Sequence, residues 1–126
     1  MDHLALAVRD QMRSRGFYER YFGFEAEPEP REDGVLILHA RGFSLALGET
    51  DETISLPSFL HFGLGLSSPD EARAFRDRIA ADGIEIVETW DEPDYVSTKF
   101  RDPDGYVVEV AWDSESASGR RQAQEE

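Results

Sequence analysis

The chain has 126 residues and a mass of 14.3 kDa, which is room for one compact domain and little for a second independent core. Its 40% apolar residues can fill that core. No apolar run approaches the ~20 residues that cross a bilayer, and no signal-peptide pattern is visible, so a cytoplasmic protein without a membrane partner is expected. Thirteen basic residues against 27 acidic ones leave a net charge of -14, which repels phosphate over most of the surface and argues against nucleic acid as a partner. The absence of cysteine excludes disulfides, thiolate zinc sites and cysteine nucleophiles.

Residues 2–8, DHLALAV, predict a strand, and the following segment predicts a helix over about 10–22. Phe17, Tyr18, Tyr21 and Phe22 form its apolar face and Gly23 its stop, while Gly16 costs about 1 kcal/mol relative to alanine. Three strands are expected next, at 24–28, 34–40 and 43–49, the first reduced to a short edge piece by Pro28 and Pro30. The cycle then repeats. Residues 60–66, LHFGLGL, predict a strand, and Ser68 caps a helix with Pro69 at its first position and Asp70 and Glu71 in its first turn. Ala72, Phe75 and Ile79 recur at helical spacing until Gly83, and strands follow at 84–90, 95–101 and 106–112. A shift of 58 positions lays His3 on His61, Val8 on Leu66 and Phe17 on Phe75. The class is α+β, built as two βαβββ modules at about 2–49 and 60–112 within a single domain, and residues 113–126 are expected to form a disordered polar tail.

Strand parity sorts these side chains onto faces. His3, Ala5 and Ala7 oppose Leu4, Leu6 and Val8, while His61, Gly63 and Gly65 oppose Leu60, Phe62, Leu64 and Leu66. The bulky face suits a helix, and a histidine followed by very small residues suits the lining of a cavity. The DPDG turn at 102–105 sets the register of the last hairpin, with Lys99 opposite Glu109 and Val107 and Ala111 on their face. Glu109 lies within YVVEVAW, where a carboxylate needs a partner. Two imidazoles and one carboxylate on small-residue faces can hold a divalent first-row metal with positions open to water and substrate. Equally, the histidines can be ordinary half-buried residues and Glu109 can be neutralised by Lys99. His39 shares parity with Val35 and Ile37 and is either a proton carrier facing the cleft or a surface histidine beside Arg41.

The segments DHLALAV, FYERYFGF, LHFGLGL and KFRDPDGYVVEV resemble the vicinal oxygen chelate superfamily, which includes glyoxalase I, extradiol dioxygenases, fosfomycin-resistance thiol transferases and bleomycin-binding proteins. The resemblance covers about residues 2–112, and DPDG followed four residues later by Glu is its most specific part. It implies paired βαβββ modules forming a cupped mixed sheet, and a divalent metal (Fe, Mn, Zn, Co or Ni) held by His3, His61 and Glu109. It also implies a homodimer and a small oxygenated substrate chelated by the metal; for such a substrate, register and parity offer Lys99 and His39 as the catalytic candidates. The alternative it implies is a drug-binding protein without turnover. The fourth strand, FSLALGE, presents Ser44, Ala46 and Gly48 where glyoxalase I brings a further glutamate, so a typical glyoxalase I is not expected.

Overall fold

The computed structural model describes residues 1–115. The chain runs β1 (His3–Val8), α1 (Gln11–Phe22), β2 (Glu25–Ala26), β3 (Leu36–Ala40), β4 (Phe43–Glu49), then β5 (His61–Gly65), α2 (Pro69–Ala81), β6 (Ile86–Glu92), β7 (Tyr95–Arg101) and β8 (Val107–Asp113). This is βαβββ twice. Two mixed four-stranded sheets result, in the equivalent orders β1-β4-β3-β2 and β5-β8-β7-β6, with the first and last strands of each module parallel. β8 extends one residue past the expected end of the second module, and Ser114 N donates to Asp94 O at 3.0 Å. The expectation of a disordered tail otherwise concerns 116–126, which lie outside the described residues. No described helix is long and apolar enough to cross a membrane.

Contacts divide the described residues into a unit of Met1–Leu56 with Asp102–Asp104 and a unit of Pro57–Arg101 with 105–115. In the first unit, Asp10 caps α1 by accepting from Met12 N and Arg13 N, each at 3.1 Å, and Gly23 ends it at φ 69. Gly23 N and Phe24 N return to Glu19 O and Tyr18 O. Leu6, Leu47, Leu45 and Leu38 are buried on one face of the sheet, and α1 packs on β3 and β4. The β3–β4 connection is a two-residue hairpin in which both Arg41 (φ 50) and Gly42 (φ 79) are left-handed, as a type I′ turn requires. Asp102 and Asp104 meet α1 through their carboxylates. Tyr18 OH donates to Asp102 Oδ2 at 2.7 Å, Ser14 Oγ to Asp104 Oδ2 at 3.1 Å, and Arg9 N to Asp104 Oδ1 at 3.0 Å.

In the second unit, Ser68 caps α2 by accepting from Glu71 N at 3.0 Å, and the Glu71 carboxylate accepts from Ser67 N, one residue before the cap, at 3.0 Å. Ala72 and Ile79 are buried, Phe75 meets Phe100 in a tilted ring contact with centroids 5.8 Å apart, and Val96, Val108 and Val110 complete the apolar face. The β7–β8 register pairs Lys99 with Glu109, as the DPDG turn predicts, and Gly105 supplies its left-handed residue at φ 91. β6 starts two residues later than expected because Ile84 N still closes the end of α2 on Ile79 O at 3.2 Å; a bulge between Ile86 and Glu88 then shifts its pairing with β7.

Candidate functional site

Each sheet has one face covered by its helix and a second face of small and polar residues. On the first unit's second face, the ladder sets His3 beside Ser44 and Ser44 beside His39, with Ala5, Ala46 and Ile37 in the next row. On the second unit's corresponding face, His61 pairs with Val107, Gly63 with Glu109, Glu109 with Lys99, and Lys99 with Glu88. Matching the two registers puts Ala46 in the position that Glu109 holds, since Ala5↔Ala46 answers Gly63↔Glu109. β4 therefore offers a methyl group where β8 offers a carboxylate.

His3 and His61 have the same hydrogen-bonding arrangement. His3 Nδ1 lies 2.7 Å from Asp2 Oδ1, and His61 Nδ1 lies 3.1 Å from Phe59 O. Both partners only accept, so in the neutral rings Nδ1 carries the proton and the Nε2 lone pair is left for an electrophile. Metal-binding imidazoles are oriented in this way by a carboxylate or carbonyl behind the ring. The His3 contact also lowers the pKa of the Asp2 carboxyl, first through the hydrogen bond and then through charge. His39 differs: both of its nitrogens are engaged, Nδ1 with Ser44 Oγ at 3.0 Å and Nε2 with Glu27 Oε1 at 2.9 Å.

Glu109 is half-buried and is held by Tyr95, whose hydroxyl donates to Oε2 at 3.1 Å. Its other oxygen, Oε1, leans over Gly63: a Cβ there would lie 3.1 Å from the Glu109 backbone oxygen and 3.7 Å from Oε1. Burial, and after it the charge of Glu109, raise the Tyr95 phenol above its ordinary pKa of 10.0, which keeps it a donor at neutral pH. Lys99, the residue expected to neutralise Glu109, has its amine 3.5 Å from Glu88 Oε1 instead. Glu88 is itself held below its usual pKa, first by the Trp90 indole N–H and then by the charge of Lys99, with His61 contributing less.

The structure thus places His61 and Glu109 on one face of one unit and His3 on the equivalent face of the other. Among the described residues, no three His, Asp or Glu side chains are gathered as a group that could hold a metal ion. His39 lies on the same face as His3, with Ser44 between them in the ladder. Sequence reasoning missed Tyr95, Asp2 and Glu27. Tyr95 shares parity with Lys99, four residues before it in the same strand, and could have been found from it. Asp2 and Glu27 lie outside or at the ends of regular strands, where parity gives no direction.

The profile of the Glyoxalase/Bleomycin resistance protein/Dioxygenase superfamily matches residues 1–110. The chain belongs to this superfamily. Its relationship to solved members of the vicinal oxygen chelate fold is distant in sequence and close in shape. A possible glyoxalase from Bacillus cereus is 25% identical with a TM-score of 0.74, covering 87% of this chain and 96% of that one. The fosfomycin resistance protein FosX from Listeria monocytogenes, in a mutant form complexed with Mn(II) and 1S,2S-dihydroxypropylphosphonic acid, is 18% identical. Its TM-score is 0.79, over 96% of this chain and 97% of that one. Lactoylglutathione lyase from Agrobacterium tumefaciens is 22% identical with a TM-score of 0.70, over 89% and 92%. No curated protein sequence matches the chain.

Proposed function

We propose that this superfamily member is a metal-dependent enzyme whose divalent ion is held by His3, His61 and Glu109, and whose substrate is a small molecule bearing two neighbouring oxygens. The observation that carries the reading is the shared arrangement of the two histidines: each has Nδ1 tied to an acceptor and Nε2 free. Glu109 adds a carboxylate fixed at one oxygen by Tyr95 and free at the other. One carboxylate and two imidazoles suit Fe, Mn, Co, Ni or Zn and leave further coordination positions unfilled by protein. When bound, such an ion supplies Lewis-acid chemistry, polarising the chelated oxygens.

The protein's own groups then have distinct tasks. Tyr95 orients Glu109, and Asp2 and the Phe59 carbonyl orient the imidazoles. Lys99, paired with Glu88, can swing toward negative charge that develops on the substrate, and His39 carries protons. The substrates that fit are a diol, an α-keto or α-hydroxy carbonyl compound, or an epoxide. We further propose that the working form is a homodimer in which His3 of one protomer joins His61 and Glu109 of its partner. Sedimentation at micromolar concentration tests this, and a species of monomer mass contradicts it.

Thermal unfolding with and without Mn(II), Ni(II), Co(II) and Zn(II) tests the function. A rise in Tm with at least one ion, lost on Glu109→Gln, supports the metal reading. No shift with any of them, together with binding of aromatic drug-like compounds by the metal-free protein, supports sequestration instead.

A further inference from the structure

The polar face of the first unit carries a hydrogen-bonded chain whose direction can be derived. Glu27 presents a carboxylate, which only accepts, 2.9 Å from His39 Nε2, so the proton of the neutral ring is on Nε2. His39 Nδ1 is then an acceptor, and the group 3.0 Å from it is the Ser44 hydroxyl, which must donate. The lone pairs of Ser44 Oγ are left to accept, with their basicity raised by the bond to His39. This order of hydroxyl, imidazole and carboxylate makes a hydroxyl act as a base or a nucleophile.

Its location narrows the task. Ser44 is the parallel-ladder partner of His3, about 4.8 Å away between strand axes, on the same face. Around it are Ala5, Ala46 and Gly48, which fill little space. A cleft of about 480 Å³ reaches Ser44 and His39 and is walled by Phe22, Phe43 and Arg41. The His39 side chain is 50% exposed, so a proton it receives can pass on to water. The two-residue turn at Arg41 and Gly42 fixes the spacing of His39 and Ser44 by joining their strands one pair beyond them.

We infer that Ser44, His39 and Glu27 form a proton relay that serves as the base of the chelate site, with Ser44 as the catalytic residue and Glu27 as a positioning residue. The inference rests on the metal reading above. In the step it describes, the C–H bond next to a chelated carbonyl breaks and its proton forms a bond to Ser44 Oγ. The Ser44 O–H bond breaks at the same time and its proton passes to His39 Nδ1. The electron pair of the C–H bond stays on the substrate as an enolate, and the imidazolium is offset by Glu27. Reversal of the path returns the proton to carbon.

Two measurements test it. In the metal-free protein, long-range ¹H–¹⁵N correlation of His39 reads the tautomer: protonated Nε2 with bare Nδ1 is expected, and protonated Nδ1 overturns the relay. With Zn(II) loaded, exchange of the α-protons of hydroxyacetone for deuterium is followed by NMR in D₂O. Ser44→Ala and His39→Gln should each slow exchange about 100-fold, within the range of general acid–base catalysis, and Glu27→Gln about tenfold with partial rescue by Glu27→Asp. The Zn(II) affinity of all four should stay within about threefold of the parent. Zinc binding with exchange indifferent to Ser44→Ala overturns the relay and leaves the metal reading standing. Failure of the parent to bind Zn(II) overturns both.

Discussion

Gly63→Ala probes the packing that frees Glu109. The new methyl carbon would lie 3.1 Å from the Glu109 backbone oxygen and 3.4 Å from its Cβ. The first contact is a few tenths of an ångström too close, and the neighbour is backbone in a parallel ladder, so β5 and β8 must separate locally. Overpacking of this kind costs about 1–3 kcal/mol. The loss of glycine's freedom in the unfolded chain offsets about 0.4–1 kcal/mol. The net is a destabilisation centred on about 1.3 kcal/mol and at most about 2.6 kcal/mol, which corresponds to a fall of roughly 5 °C in Tm, and at most about 12 °C, for a domain of this size. The same methyl stands 3.7 Å from Oε1, so a shift of β8 also moves the carboxylate, and metal affinity should fall about tenfold, as it does when support for a ligand is lost. Differential scanning calorimetry gives the first number and isothermal titration with Mn(II) the second. A Tm equal to or above the parent, with unchanged Mn(II) affinity, would refute the placement of Glu109 over Gly63.

Three further outcomes are expected. Tyr18→Phe removes a hydrogen bond to the buried Asp102 carboxylate and should lower stability by about 1.5–3 kcal/mol in urea denaturation; a change below about 0.5 kcal/mol would show that bond to be inconsequential. Arg73 and Arg76 hold Asp91 below its usual pKa of 3.8, so its contribution is complete above that value and is lost as pH falls through the depressed one. Asp91→Asn should therefore lower Tm at neutral pH, by an amount that shrinks as pH falls below 3.8, and a loss independent of pH would exclude an electrostatic origin. Finally, the hemithioacetal of methylglyoxal and glutathione should be a poor substrate, because Ala46 stands in β4 where a fourth ligand, a second carboxylate, would be; efficient turnover abolished by His61→Ala would contradict this.

Much of the fold was readable because each module obeys simple rules. The alternation in DHLALAV and LHFGLGL separated helix-facing from open faces, Ser68 and Pro69 announced α2, and the DPDG turn set the Lys99–Glu109 register. Pro28 and Pro30 signalled that β2 would be short, and it has two residues. Less readable were partnerships set by tertiary packing. Lys99 lies opposite Glu109 in the ladder, yet its flexible stem carries the amine to Glu88, and Tyr95 from farther along β7 takes the carboxylate. Asp102 and Asp104 read as turn residues, and only the folded chain shows their carboxylates receiving Tyr18, Ser14 and Arg9. Parity placed His39 on the open face, but Glu27 follows the last paired residue of β2, where alternation no longer tells direction.

The most direct test of the central claim is a titration of the chelator-treated protein with Mn(II), read by the electron paramagnetic resonance signal of the free ion. The account predicts one ion bound per chain, affinity reduced at least tenfold in each of His3→Ala, His61→Ala and Glu109→Gln, and no reduction in His39→Ala, whose two ring nitrogens are already engaged. Binding that survives all three ligand substitutions, or no binding of Mn(II), Fe(II), Co(II), Ni(II) or Zn(II) in parallel titrations, would contradict it.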